Sequence, residues 1–368
     1  VICQMKTEIA AYRETGEVEI GDLTLESGTV LPDVRLSYER VGSADAPAIL
    51  VCHALTGSQI AVGNEENPGY WSGLIASGGY IDTTKYQVIS FNVLGGCNGS
   101  TGPKSTNPST GEEYQSKFPF ITVRDMVKAQ YQALEKFGID HLDTVIGGSL
   151  GGMQVLEWGV MYPDRMDRLV PIAVTPYLTD YAIAFNNIAR LAILRDPNWN
   201  NGHYSSDSIP ENGLSLARMV GMITYRSGDL FNERFSRKQR APAGSFHDEI
   251  AYEVESYLDY QGKKLTKRFD ANSYLYLLKA MDTHDIGRER NGWKEAARLI
   301  KAPVTAIGYS GDLLFPPSSL NDFVTELQKE GKQASYHQID TSFGHDGFLV
   351  EFEKWAHIVQ DSVTSIGK

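Results

Sequence analysis

The sequence predicts an α/β fold, with a mostly parallel central sheet, helices on both faces and a helical insertion serving as a lid. Three observations carry that prediction. Residues 48–52 and 86–92 are near-continuous apolar stretches, the pattern of strands covered on both faces. A glycine-flanked serine, Gly147-Gly148-Ser149-Leu150-Gly151, sits between a short apolar strand at 142–146 and a helix that opens with Met153-Gln154-Val155-Leu156. Residues 177–298 carry helical signals joined by polar turns, after which strand patterning returns.

In chain order, the alternating stretches at 18–20 and 34–39 read as antiparallel strands with one solvated face, and they start the sheet. The strands at 48–52 and 86–92 follow. Between 123 and 137 the apolar positions Met126, Ala129, Ala133, Leu134 and Phe137 recur at helical spacing, and Gly138 ends the run. The serine strand and its helix come next, then a strand at 169–174 whose Pro171 is best tolerated near a strand end or a sheet edge. Strands at 302–309 and 334–339 and a closing helix at 348–363 complete the pattern. The expected division is a core of residues 1–176 and 299–368 and a helical lid of residues 177–298.

The chain has 368 residues, 42% of them hydrophobic, enough to bury a large core. A formal charge of −12 opposes binding to nucleic acid or anionic membranes and leaves small substrates open. Cys3, Cys52 and Cys97 are odd in number, widely spaced and outside any ligand cluster, so neither a disulfide framework nor a metal site is expected. No apolar run approaches the roughly 18 residues of a membrane span, and the first residues lack the apolar stretch of a signal peptide. A reducing cytoplasm is the expected compartment.

G-x-S-x-G between a strand and a helix is the nucleophile elbow of the α/β-hydrolase fold, where glycines leave room for a tight turn and the serine hydroxyl projects over the sheet. A serine hydroxyl is a weak nucleophile at neutral pH. It needs a base within reach and an anion that fixes the base's tautomer, and in this fold both come later, acid before histidine. Asp312 follows the strand that ends near Gly308, and His345 follows the one that ends near Ile339. His337 falls inside a strand and His357 inside the last helix; His53 precedes the serine and reads as a structural loop residue; Asp340 and Asp346 crowd the histidine in sequence. One oxyanion donor is the N–H of Leu150, and the other comes from the loop His53-Ala54-Leu55-Thr56-Gly57, in which spacing leaves several candidates.

Five strings carry a closer resemblance: the His53–Gly57 loop, Asn92-Val93-Leu94-Gly95-Gly96-Cys97-Asn98-Gly99-Ser100-Thr101-Gly102-Pro103, Phe118-Pro119-Phe120-Ile121-Thr122-Val123-Arg124-Asp125-Met126, the elbow with Gly152-Met153-Gln154, and Gly344-His345-Asp346. From about residue 15 to the C-terminus the chain resembles the homoserine O-acetyltransferase family of methionine biosynthesis. The resemblance implies that Ser149 takes acetyl from acetyl-CoA as co-substrate, that no cofactor is bound, and that the γ-hydroxyl of L-homoserine then attacks the acyl-enzyme. It implies Leu55 and Leu150 as the oxyanion donors, Arg218 and Tyr225 as holders of the amino acid's carboxylate, Asp346 as holder of its ammonium, and a homodimer formed through the lid. Many relatives carry methionine where this chain has Leu150, a change that leaves the backbone N–H in place.

A zwitterion does need one cationic and one anionic partner, and Arg218 and Tyr225 are seven apart on one helical face. The residues alone leave open a surface ion pair for Arg218, a packed amphipathic ring for Tyr225 and a loop cap for Asp346. Competing activities are succinyl transfer, with Arg124, Arg190 or Arg226 taking the distal carboxylate, acylation of L-serine, and plain ester or thioester hydrolysis. A scaffold without activity is disfavoured by an intact serine, acid and base in the required order.

Overall fold

The computed structural model describes residues 12–240, 247 and 249–365. An antiparallel hairpin, β1 (Arg13–Thr24) and β2 (Val30–Val41), opens the chain, with Arg13 opposite Val41 and Thr24 opposite Val30. β3 (Ala48–Cys52) follows, then β4 (Ile75–Ala76) and β5 (Ile81–Asp82), a separate two-stranded ladder, and β6 (Gln87–Phe91). β7 (Leu142–Gly148), β8 (Met166–Ile172), β9 (Val304–Tyr309) and β10 (Ala334–Ile339) complete a main sheet in the order β1-β2-β6-β3-β7-β8-β9-β10. From β6 to β10 every pairing is parallel.

The helices are α1 (Val123–Lys136) and α2 (Leu150–Met161) before β8; α3 (Asp180–Leu194), α4 (Glu211–Tyr225), α5 (Gly228–Phe235), α6 (Glu253–Thr266), α7 (Ala271–Asp282) and α8 (Trp293–Leu299) between β8 and β9; then α9 (Pro317–Lys329) and α10 (Phe352–Thr364). Thr122 caps α1 by accepting from the Asp125 N–H, while the Asp125 carboxylate accepts from the Thr122 N–H at 3.0 Å. Among the described residues no helix is long and apolar enough to cross a membrane.

The continuous apolar strands are explained by their period of two. Leu50 and Val145 point into one core with Met126 of α1, Leu156 of α2 and Phe323 of α9, whereas Ile49, Val51 and Ile146 point into a second core with Trp71 and Trp355. Both faces of the sheet are thus covered at its central strands. Pro171 lies next to the end of β8, but that strand is interior, bonded to β7 and β9. Of the residues expected in the lid, 293–298 belong to α8, which packs on α2 and α9.

The closing helix does not run unbroken over 348–363. A 3₁₀ turn at Gly344–Leu349 is followed by Glu351 in the left-handed region (φ 48°), and α10 starts only at Phe352. The tryptophan pair accompanies this break: Trp71 Nε1 donates to the Phe348 carbonyl at 2.8 Å and Trp355 Nε1 to the Val350 carbonyl at 3.0 Å, which ties the segment before α10 to the second core.

Candidate active site

Ser149, Asp312 and His345 follow the carboxyl ends of β7, β9 and β10, and the loop after β3 lies next to the first of these. A parallel sheet delivers all such loops to one edge, which is where residues distant in sequence meet. Ser149 sits at φ 59°, ψ −123°, a strained corner between strand and helix, and its N–H is held by the Ile172 carbonyl of β8 at 3.0 Å. The glycines two positions to either side are forced by the Cys52 carbonyl of β3. A Cβ at Gly147 would lie 2.7 Å from that oxygen and one at Gly151 only 2.0 Å from it.

The three side chains form one continuous relay. His345 Nε2 lies 2.9 Å from Ser149 Oγ, and His345 Nδ1 lies 2.7 Å from Asp312 Oδ2. With Asp312 ionised, Nδ1 carries the proton and Nε2 is left to accept from the serine. Asp312 Oδ1 accepts from the Leu314 and Phe315 N–H groups at 3.0 and 2.9 Å, which fixes the carboxylate's plane. The imidazole is stacked on Phe315 (4.9 Å, 24°) and met edge-on by Phe348 (5.4 Å). Burial alone lowers the basicity of His345; the Asp312 charge, its hydrogen bond and the Asp346 charge outweigh this, and the pKa is raised from its ordinary value.

Leu150 is the first residue of α2, so its N–H has no intrahelical acceptor, and Leu55 lines the same cavity as Ser149. Among the described residues neither N–H meets a protein acceptor. The loop that carries Leu55 is braced by His53, which is buried. Its Nδ1–H donates to the Ala54 carbonyl at 2.7 Å and its Nε2 accepts from the Val93 N–H at 3.0 Å, with Asn92 Nδ2 at 3.2 Å. Burial lowers the His53 pKa to about 4, so the ring stays neutral and keeps that bonding pattern.

The cavity over Ser149 has a volume of about 250 Å³ and is lined by Leu55, Arg218, Tyr225, His345 and Asp346, among others. Arg218 Nη1 is 3.4 Å from Thr56 Oγ1 and its guanidinium lies 5.6 Å from the centre of the Tyr225 ring. Tyr225 is itself 6.0 Å from the His345 ring, centre to centre. The phenol's pKa is raised by burial, against the opposing charge of Arg218. The Asp346 carboxyl is also raised by burial, opposed by Arg226, His345 and Arg218. All eight residues singled out in the sequence therefore gather at one site. A larger cleft of about 850 Å³, between the 103–117 loop and the turn from α6 to α7, contains none of them.

Residues 47–352 match the family model described as the α/β-hydrolase fold. The chain is 46% identical to the homoserine O-acetyltransferase of Moorella thermoacetica over 92% of either protein. It belongs to the homoserine O-acetyltransferase family. Among solved structures, the homoserine O-acetyltransferase of Bacillus anthracis is similar with a TM-score of 0.91 at 28% identity, over 96% of this chain and 98% of the other. Esterase E22 is almost as similar in shape, with a TM-score of 0.89 at 28% identity over 96% of this chain and 100% of that one.

For a homoserine O-acetyltransferase family member, the arginines weighed as partners of a longer acyl donor are informative. Arg124 is bonded to Glu157 and Glu26, both at 3.1 Å, and Arg190 is bonded to Asp282; neither lines the cavity. Arg226 does line it, but its Nε is 3.1 Å from Asp346 Oδ2. Sequence reasoning missed that pairing and the brace of Asn92 on His53. The only available signal for the second was the position of Asn92 at the head of the glycine-rich string, which folds as a turn held by Ser100 Oγ on the Asn92 carbonyl at 2.6 Å.

Proposed function

We propose that this chain is an L-homoserine O-acetyltransferase working by a ping-pong acyl transfer through Ser149. The observation that carries the reading is the Ser149–His345–Asp312 relay opening onto a cavity that holds a guanidinium and a carboxylate. Ser149 Oγ attacks the thioester carbonyl of acetyl-CoA as its proton passes to His345 Nε2, and the alkoxide is met by the N–H groups of Leu55 and Leu150. The tetrahedral adduct collapses, the C–S bond breaks and His345 protonates the departing thiolate. Homoserine then enters with its carboxylate on Arg218 and Tyr225 and its ammonium on Asp346, which presents the γ-hydroxyl to the ester. His345 takes that proton, the second adduct collapses, and the proton returns to Ser149.

Acetyl is favoured over succinyl because Arg124 and Arg190 are bound to carboxylates outside the cavity and Arg226 is bound to Asp346, so a distal carboxylate would have to break an ion pair. Plain hydrolysis is the second reading, supported by the likeness to esterase E22. The two are separated by offering acetyl-CoA or succinyl-CoA with L-homoserine, L-serine or no acceptor, and following free thiol and product mass. The expected result is one equivalent of CoA without acceptor and sustained turnover only with acetyl-CoA and homoserine. Sustained release without acceptor overturns transfer in favour of hydrolysis. Arg218→Ala is expected to raise the homoserine KM by roughly tenfold or more, the worth of a charged hydrogen bond; an unchanged KM removes Arg218 from the carboxylate site.

We further propose a homodimer formed through the lid. Tyr181 and Ile188 on α3 and Leu216 and Ile223 on α4 are each more than half exposed, an apolar face on two packed helices. Sedimentation is expected to give twice the chain mass, and a monomer in Ile188→Asp with Ile223→Asp; a monomeric wild type rejects the arrangement. A thioester donor and the free thiols of Cys52 and Cys97 accord with the reducing interior of a cell, where we place the protein.

A further inference from the structure

We infer that Arg226 is a positioning residue for the acceptor half of the reaction, fixing one oxygen of the Asp346 carboxylate so that the other meets the substrate's ammonium. The inference rests on the reading of Asp346 given above. Arg226 Nε donates to Asp346 Oδ2 at 3.1 Å, and among the described residues Oδ1 has no donor. Both side chains line the cavity over Ser149. A carboxylate pinned through one oxygen binds a cation without first losing its own rotational freedom, and it keeps its charge in a site that otherwise disfavours it.

The backbone holds Arg226 where this requires. It ends α4, the helix that carries Arg218 and Tyr225, in an extended conformation (φ −123°, ψ 154°). Its neighbour Ser227 caps α5 and donates its hydroxyl to the Ser342 carbonyl. This corner lies directly on the histidine loop, since a Cβ at Gly344 would come within 3.3 Å of the Ser227 nitrogen and 3.5 Å of the Arg226 carbonyl carbon. On its far side the guanidinium lies 5.9 Å from the Tyr257 ring centre of α6. Swinging it toward a distal carboxylate would cost both contacts.

The charged and titratable groups facing Asp346 are Arg226, Arg218 and Tyr225 from α4, and His345 beside it. Arg226 opposes the upward push of burial on the Asp346 carboxyl. Its loss therefore moves the acid limb of kcat/KM for homoserine to higher pH. The donor half does not use the ammonium site, so the corresponding limb for acetyl-CoA, set by His345, moves only through the Asp346 charge, the smallest of the causes acting on that ring.

The test is steady-state kinetics of Arg226→Gln, Arg226→Lys and Asp346→Asn with each substrate varied across pH. For Arg226→Gln the homoserine KM is expected to rise about tenfold with its acid limb displaced upward, while the KM for acetyl-CoA changes by less than about threefold; Arg226→Lys recovers part of the loss. A homoserine KM and limb like those of wild type overturn the inference. So does an equal change for both substrates, which would make Arg226 a structural latch. Asp346→Asn separates the premises: if it leaves the homoserine KM unchanged the ammonium site is wrong, and if it raises KM while Arg226→Gln does not, the ammonium site stands and the positioning role falls.

Discussion

Ser149→Ala is expected to lower turnover by a factor of about 10⁶, the scale seen when a serine nucleophile is removed from an intact relay, with the acetyl-enzyme disappearing from the mass spectrum. The size of the effect follows from what the hydroxyl does. Both half-reactions pass through an ester on Oγ, so its loss removes the pathway and not one contact within it. The fold should tolerate the change. Ser149 owes its position to the Ile172 carbonyl and the glycines against Cys52, none of which involves the side chain, and alanine meets the same backbone strain at φ 59° that serine already bears. Thermal denaturation should therefore move little while acetylation vanishes. An alanine variant that still takes up one acetyl group per chain, or still turns over within about a hundredfold of wild type, would make another residue the acyl carrier.

How much of this was legible in the sequence depends on the distance over which each constraint acts. The strands at Ala48–Cys52, Leu142–Gly148 and Val304–Tyr309 announce themselves through burial on both faces, a property of a few consecutive residues, and the edge strand Ala334–Ile339 through its local strand patterning. Once they are parallel neighbours, the loops after them must share an edge, and Ser149, Asp312 and His345 meet there with no further information. What failed were long-range side-chain substitutions for local bonds. The helix expected over 348–363 breaks where indoles from Trp71 and Trp355 hold the Phe348 and Val350 carbonyls, and Trp71 is 277 positions away from Phe348. Arg226 was weighed as a partner for a longer donor, but packing of the lid against the histidine loop gives it to Asp346, 120 positions on. Periodicity reports which face of an element is buried and says nothing of which polar group a buried charge will find.

Asp312→Asn is expected to lower kcat by about 10⁴ through the tautomer of His345, a loss of proton logic with little change of shape. Asp312 Oδ1 accepts two backbone N–H groups, from Leu314 and Phe315, so an asparagine must keep its carbonyl oxygen on that side. Its amide nitrogen then faces His345 Nδ1, which has to become the acceptor. The imidazole proton moves to Nε2, where it points at Ser149 Oγ and cannot receive that hydroxyl's hydrogen. A second consequence has a definite sign. Burial lowers the His345 pKa and the Asp312 charge and hydrogen bond are the main causes that raise it, so removing them lets burial act with less opposition. In wild type the neutral base is lost as pH falls through the raised value; in the variant the acid limb of the residual activity lies at lower pH. Asp312→Ala gives the contrast, because it leaves the Leu314 and Phe315 N–H groups buried without an acceptor and should cost about 1–3 kcal/mol of stability for each, whereas asparagine keeps both satisfied. A full-length loss of activity in alanine with near-wild-type turnover in asparagine would mean that Asp312 only holds the loop, and the relay would have to be assigned another acid.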